Sequence, residues 1–248
     1  MKPKITIIIP CYNSEKWIEQ CVMSCLYQTY ENVEVIAVDN ESRDNTVKIL
    51  NDIKKENPEL ILSSAENIYP NCWDEAREEG FRLMTGDYVM TIGSDDYIDL
   101  EYVDNCMEII LSAPDKIKAL QTPIQGVRQY GDKFSSTGTI QHSYGSQEQF
   151  KELCLTKCPV NTPSIIYNAE LYHKGLLNTK PEKYGGAADY DLYCSLIDNG
   201  IFIYPVPKWL GFYYRWHPEQ ATWEMHKEKN RVNYDKLIQE YWREKWKM

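Results

Sequence analysis

Residues 4–40 read KITIIIPCYNSEKWIEQCVMSCLYQTYENVEVIAVDN, and two periodicities alternate within them. Ile5 to Ile9 is a short β-branched run stopped by Pro10, which predicts a strand. Trp17, Ile18, Cys21, Val22, Cys25 and Leu26 then recur at helical spacing, with Asn13 or Ser14 available as N-cap. Strand and helix together make one βα unit. Val33 to Val38 repeats the strand pattern, ends at Asp39, and passes through the polar Asn40-Glu41-Ser42-Arg43-Asp44 into a helix bearing Val47, Ile49, Leu50 and Ile53. Leu60 to Leu62 is a weaker strand, followed by a helix marked by Trp73, Ala76, Gly80, Phe81 and Met84 and stopped at Gly86. The apolar run Tyr88 to Ile92 then ends at Gly93-Ser94-Asp95-Asp96.

Alternation of this kind predicts an α/β fold with a mostly parallel sheet covered by helices on both faces. In such sheets ligands collect at the carboxyl ends of the strands. Three of those ends carry polar candidates: Pro10-Cys11-Tyr12-Asn13, Asp39-Asn40 and Ser94-Asp95-Asp96. Their convergence argues for a site more strongly than any one of them. Because successive side chains on a strand point to opposite faces, Asp95 and Asp96 are expected to serve different partners, one a divalent cation and the other a hydroxyl. Taken alone, the pair fits an acidic turn leading into the next helix equally well.

Beyond residue 113 the rhythm changes. Lys118 to Tyr130 and Lys133 to Ile140 predict strands around a Gly131-Asp132 turn, with helices near 146–155 and 187–199. There is no Pro/Gly/Ser-rich linker and no internal repeat, so one continuous domain is expected. Within it three parts are expected: residues 1–112, which carry the polar strand ends, residues 113–222 as a smaller second half, and residues 223–248 as a C-terminal helix.

The chain has 248 residues, 43% hydrophobic and 26% charged, and a formal net charge of −10. That composition suits a globular protein and argues against a general nucleic-acid binder, which needs clustered Lys and Arg. An anionic substrate must be met locally, by a metal or a few placed basic groups. The eight cysteines are dispersed and are expected to be reduced core thiols of a cytoplasmic protein. Cys154 and Cys158 have no second Cys/His pair at finger spacing, which argues against a zinc site. The first residues, MKPKITIIIP, read as neither a signal peptide nor a membrane span.

The run IIIPCYNSEKWIEQCVMSCLYQTYENVEVIAVDNESRDNT, the AREEG of residues 76–80 and TGDYVMTIGSDD, followed by GAADYDLYCSL and YYRWHPEQ, together resemble the inverting nucleotide-sugar glycosyltransferases of family 2, with the GT-A fold. The resemblance implies that Pro10 and Tyr12 form a base pocket, that Asp39 hydrogen-bonds a uracil-type ring, and that Arg77 and Ser94 approach the nucleotide. Asp95 would face the ribose, and Asp96 would bind Mn²⁺ or Mg²⁺ bridging the diphosphate of a UDP-sugar. His217 would join the metal or contact the diphosphate, and Arg215 would bind the diphosphate. Asp189 would be the catalytic base, with Asp191 as the alternative. The acceptor would be a hydroxyl of a glycan, lipid or other glycoconjugate. Two positions depart from the family pattern: Ala188 stands where a Glu is usual and Gly93 where an Asp is frequent.

Two other readings compete. A sugar-phosphate nucleotidyltransferase would need a Gly-rich loop after the first strand, and Cys11-Tyr12-Asn13-Ser14-Glu15 has no Gly. A non-catalytic sugar or nucleotide binder would treat Ala188 and Gly93 as marks of lost chemistry. In the last helix, Tyr234, Leu237, Ile238, Tyr241, Trp242 and Trp246 form one stripe. It could lie peripherally on the inner face of a membrane, but its interleaved acids favour packing, on its own domain or on a second subunit of a homo-oligomer.

Overall fold

The computed structural model describes residues 2–68, 73–130, 133–220 and 232–248. In chain order the first elements are β1 (Ile5–Cys11), α1 (Ile18–Leu26), β2 (Val33–Asp39), α2 (Thr46–Glu56), β3 (Ile61–Ser64), α3 (Asp74–Leu83) and β4 (Tyr88–Thr91). They are followed by β5 (Tyr97–Ile98), α4 (Tyr102–Ser112), β6 (Ala119–Gln121), β7 (Ile124–Tyr130), β8 (Lys133–Ile140) and α5 (Gln147–Cys154). The last are β9 (Ile165–Asn168), α6 (Glu170–His173), α7 (Pro181–Tyr184), α8 (Ala188–Asp198), β10 (Ile203–Pro205), β11 (Phe212–Trp216) and α9 (Tyr234–Trp246).

Seven strands form one sheet in the order β10-β6-β9-β4-β1-β2-β3, and β5-β11-β7-β8 form a second. β1 pairs in parallel with β2 and β4, and β2 with β3. β9 runs antiparallel to both its neighbours, β4 and β6. The mostly parallel α/β sheet expected from the sequence is therefore present.

All seven residues of β1 are buried, as a central strand covered on both faces requires. Its side chains alternate between two layers of core. Ile5, Ile7 and Ile9 join Cys21, Val22 and Cys25 of α1 and Leu50 of α2, whereas Ile8 packs with Phe81 of α3. Full burial of each such side chain contributes roughly 1.5–3 kcal/mol.

The α3 helix can lie close on Ile8 because residue 80 is Gly: a Cβ there would fall 2.4 Å from Ile8 Cγ2. Gly80→Ala is expected to destabilise the fold by about 1–3 kcal/mol, since overpacking forces side-chain and backbone shifts. Denaturant unfolding measures it; an unchanged midpoint would show that the helix can move away freely.

The second half departs from the sequence reading in specific ways. The strand expected over 118–130 is two strands, broken at Thr122-Pro123, where proline offers no N–H to a ladder. β6 stays in the large sheet and β7 enters the small one. The Gly131-Asp132 turn lies outside the described residues. So do residues 223–231 of the predicted C-terminal helix, which is observed from Tyr234. Its stripe is divided: Ile238 and Trp242 are buried against α8, while Leu237 and Tyr241 are exposed. Trp242 Nε1 donates to Asp191 Oδ1 at 2.8 Å and Trp246 Nε1 to Asp198 Oδ1 at 2.8 Å. Packing on the chain's own α8 thus accounts for the buried part of the stripe. Among the described residues no helix is long and apolar enough to cross a membrane.

Candidate active site

A cleft of about 730 Å³ opens where β1, β2 and β4 end. On its β1 side Pro10 and Tyr12 line the wall, with Tyr12 46% exposed. The loops after β1 and β2 are stitched together. Asn13, at φ +49°, accepts from Arg43 N through Oδ1 at 2.8 Å, and its own N donates to Ser42 Oγ at 2.9 Å. Ser14 N donates to Thr46 Oγ1 and Glu15 N to Asp44 Oδ2. Asn13 and Ser14 therefore serve this loop junction, and α1 begins only at Ile18.

Asp39, the last residue of β2, accepts from Ser42 N through Oδ2 at 3.1 Å. Its Oδ1 is buried and has no hydrogen-bond partner among the described residues. A buried acceptor left unmade is costly, so this atom suits an incoming N–H donor. Asp39 is not itself among the lining residues; its neighbours Asn40 and Glu41 are.

Arg77 lines the opposite part of the cleft. Its Nη2 donates to Thr179 Oγ1 at 2.7 Å and pairs with Asp74 Oδ1 at 3.2 Å, and Thr179 also donates to Asp74. Arg77 Nε is buried and unpartnered among the described residues.

The acidic pair is presented differently from the sequence expectation. β4 ends at Thr91, and Asp96 N donates back to Gly93 O at 3.0 Å. Asp95 and Asp96 thus sit on a turn rather than on alternating faces of a strand, and they converge. A Cβ added at Gly93 would lie 2.7 Å from Asp95 Oδ1 and 3.2 Å from Asp96 Oδ2. The absent side chain at 93 leaves the space into which both carboxylates turn. Ser94 Oγ, beside them, lies 2.6 Å from Ser14 Oγ and joins the β1 and β4 ends.

Asp96 is 2% exposed, and its Oδ1 accepts from Arg215 N at 2.9 Å. Burial, helped by the Asp95 charge, pushes its carboxyl well above the usual carboxylate range; Arg215 opposes the shift. His217 Nε2 lies 2.9 Å from Asp95 Oδ2, so the ring approaches Asp95 instead of Asp96. Its Nδ1 is buried without a partner among the described residues.

Arg215 requires a correction. The resemblance implies a diphosphate contact, yet the side chain is 0% exposed and does not line the cleft. Its guanidinium lies 4.4 Å from the Trp17 ring and 5.2 Å from that of Tyr97. Nε donates to Asp95 O and Nη2 to Gln20 Oε1, each at 2.7 Å. Arg215 thus ties the acidic turn to α1, with aromatic faces compensating part of its desolvation.

On the far side, Asp189 enters the cleft from the first turn of α8. Oδ2 accepts from Thr162 Oγ1 at 2.5 Å and Oδ1 from Tyr190 N at 2.7 Å. Burial pushes its carboxyl up, against those two hydrogen bonds and Arg77. Asp191 is placed elsewhere. It is buried outside the cleft lining, with Oδ2 2.8 Å from Lys180 Nζ and Oδ1 accepting from Trp242. The structure therefore separates the two candidates, and Asp191 has a structural task.

Several lining residues had no sequence signal pointing to a site. Trp17 reads as one more apolar helix position, and Thr162, Thr179 and Asn67 are isolated polar residues in loops; all four line the cleft. Among the described residues no group of three or more His, Cys, Asp or Glu side chains is arranged as a metal cluster.

The model of Glycosyl transferase family 2 matches residues 6–175, well over half of the chain. Poly(ribitol-phosphate) beta-glucosyltransferase of Bacillus spizizenii is 30% identical over 205 residues, 77% of this chain and 32% of that protein. Chondroitin synthase of Pasteurella multocida is 28% identical over 201 residues, 81% of this chain and 19% of that protein. The chain thus spans about a third or less of the length of these curated relatives. Among solved structures, S. aureus TarS 1–349 in complex with UDP-GlcNAc matches with a TM-score of 0.67 at 20% identity, over 88% of this chain and 60% of that one. Mannosyltransferase PcManGT from Pyrobaculum calidifontis, in complex with GDP-Man and Mn²⁺, matches with a TM-score of 0.64 at 16% identity, over 97% and 69%. At these identities the likeness is one of fold, and the fold is the GT-A arrangement expected from the sequence.

Proposed function

The chain belongs to glycosyl transferase family 2, and from that premise we propose that it moves a sugar from a nucleoside-diphosphate sugar to an acceptor hydroxyl with inversion, assisted by a divalent cation. The observation that carries this reading is the make-up of the cleft. It joins three strand ends from the first hundred residues to Asp189, a carboxylate from a helix in the second half.

Each part of the cleft suits one part of the donor. Tyr12 offers an aromatic face and Pro10 an apolar wall for a base, and behind the lining residues Asn40 and Glu41 the Asp39 Oδ1, without a partner among the described residues, suits a ring N–H such as that of uracil. TarS was solved with UDP-GlcNAc and PcManGT with GDP-Man, which makes a nucleotide sugar the natural donor class. Ser94 and Arg77 line the same cleft.

The diphosphate must be accommodated beside Asp74, Asp95, Asp96 and Asp189, with Arg43 and Arg77 as the lining arginines among the described residues. With those carboxylates ionised, such a surface repels an anion unless a cation intervenes. Asp95 and Asp96, converging over Gly93, fit Mg²⁺ or Mn²⁺, which commonly takes one or two carboxylates and completes its shell with phosphate and water. Bound there, the cation would neutralise charge on the departing diphosphate. His217 orients Asp95, and Arg215 holds the turn.

Asp189 is the general base. Its raised proton affinity suits removal of a hydroxyl proton, and its place in the cleft lets an acceptor oxygen attack the anomeric carbon directly. Tyr167, Tyr193, Tyr214 and Trp216 border the cleft, and aromatic faces of this kind suit the C–H faces of a glycan or glycoconjugate acceptor. We read residues 1–248 as one catalytic unit, because one core cluster joins β1 and α1 to β11.

A thermal-shift screen of UDP-, GDP- and dTDP-sugars, each with and without Mn²⁺, tests the reading. One nucleotide at about 100 times its Kd should add about 2.7 kcal/mol, roughly 5–10 °C in Tm, and only with the metal. The same donor should then release nucleoside diphosphate. If no nucleotide raises Tm, the reading is wrong; binding without any release would make the chain a binding module.

A further inference from the structure

We propose that Thr162 is a positioning residue for Asp189, fixing the orientation of the carboxylate and favouring its ionised form; this rests on the reading of Asp189 as the base. Thr162 opens a 3-10 turn, Thr162–Ser164, that leads into β9. Its hydroxyl is 2.5 Å from Asp189 Oδ2. A carboxylate only accepts, so Thr162 supplies the hydrogen, and that hydroxyl has no further proton to give. Each oxygen of Asp189 therefore holds one donor, Tyr190 N on Oδ1 and Thr162 on Oδ2. Each keeps one lone-pair direction free, and the carboxylate lines the cleft.

The turn that carries Thr162 is rigidly held. Ser164 Oγ donates to Thr122 O at 2.8 Å, Asn161 Nδ2 to Thr122 O at 3.2 Å, and Asn161 N to Gln121 Oε1 at 3.1 Å. All of these bonds are buried. Thr162 thus transmits the position of the end of β6 to a side chain on α8. A base must sit within hydrogen-bond reach of its proton, and a loose carboxylate loses rate through misplacement.

Other groups also face Asp189. From α3, Arg77 favours its ionised form and Asp74 opposes it. Tyr167 on β9, Tyr193 on α8 and Cys158 in the segment between α5 and β9 all feel its charge. Burial is the largest influence and raises its proton affinity, while the Thr162 hydroxyl leads the influences that lower it. Removing that donor should make Asp189 harder to ionise. Since a base works only when ionised, the acid limb of activity should move to higher pH.

The test follows the carboxyl carbon of Asp189 by ¹³C NMR in the full chain, assigned by its loss in Asp189→Asn. Manganese-dependent hydrolysis of UDP-glucose, GDP-mannose and dTDP-glucose is measured across pH alongside it. Thr162→Val should raise the Asp189 midpoint by about one pH unit, carry the acid limb up with it and lower turnover about tenfold. Thr162→Ser should restore all three. Thr162→Ala carries the same comparison if the Val variant does not fold. An unmoved midpoint in a folded Val or Ala variant overturns the proposal, as does a Ser variant that behaves like Val. These outcomes are separable from a failure of the base assignment. If Asp189→Asn turns over like wild type, Asp189 is not the base and the proposal falls with it. If Asp189→Asn is inactive and the midpoint is unmoved in Thr162→Val, the proposal on Thr162 alone is lost.

Discussion

Asp189→Asn is expected to slow transfer by about 10²–10⁴-fold, the usual contribution of a positioned general base, while leaving nucleotide affinity unchanged. The amide keeps the shape of the carboxylate and an oxygen for Thr162, but it cannot take a proton. The nucleotide side of the cleft, from Pro10 to Asp96, is built by other elements and has no hydrogen bond to Asp189 among those described. Single-turnover rates and nucleotide binding, measured on the same preparation, check both halves of the expectation. Transfer near the wild-type rate would rule out Asp189 as the base. Asp191 is the natural comparison, because its oxygens are held by Lys180 and Trp242. Loss of Asp191 should show in the stability of the α8–α9 contact.

Asp96→Asn is expected to do two opposite things: abolish cation-dependent stabilisation by nucleotide and stabilise the protein without ligand. The first follows if Asp96 is the carboxylate the cation needs. The second follows from burial. Asp96 is driven well above the ordinary carboxylate range, so above about pH 4 the unfolded chain releases a proton that the folded chain retains. Unfolding then gains up to about 1.4 kcal/mol for each pH unit, until the folded carboxyl also ionises. At a pH below about 4 both states are protonated and the penalty disappears. Asn carries no such penalty and can still accept from Arg215 N. Denaturant unfolding of both proteins from pH 4 to pH 8, without metal, should therefore diverge as pH rises. Parallel curves would mean that Asp96 ionises in the folded protein as freely as in the unfolded one.

Stability and function are opposed at both carboxylates. Each is held where its charge is poorly solvated, and each is proposed to do its work in the charged form. Perturbed proton affinities of this kind cluster at functional sites.

Much of this was legible in the order of residues, because hydrophobic periodicity is a local property. A period of two at Ile5–Ile9 and Val33–Val38, and of 3.6 at Trp17–Leu26, specifies which segments are strands and helices and which faces they bury. Polar clusters at Pro10–Asn13, Asp39 and Ser94–Asp96 mark the strand ends, whereas Asp189 and Asp191 stand as alternatives. Short elements were not legible. β9 has four residues and slots antiparallel between β4 and β6. β11, FYYRW, is a five-residue strand that brings Arg215, and His217 just after its end, to an acidic turn about 120 residues earlier.

Side-chain direction belongs to that second class. Whether Arg215 faces a phosphate or braces a turn, and whether Asp189 or Asp191 enters the cleft, depends on which surfaces are already covered. Trp17 and Tyr97 enclose the guanidinium, and Trp242 takes Asp191. The chain alone determined the α/β alternation and the acidic character of its strand ends. Only tertiary packing decided which carboxylates face open space, because burial and hydrogen-bond satisfaction are set by neighbours distant in sequence.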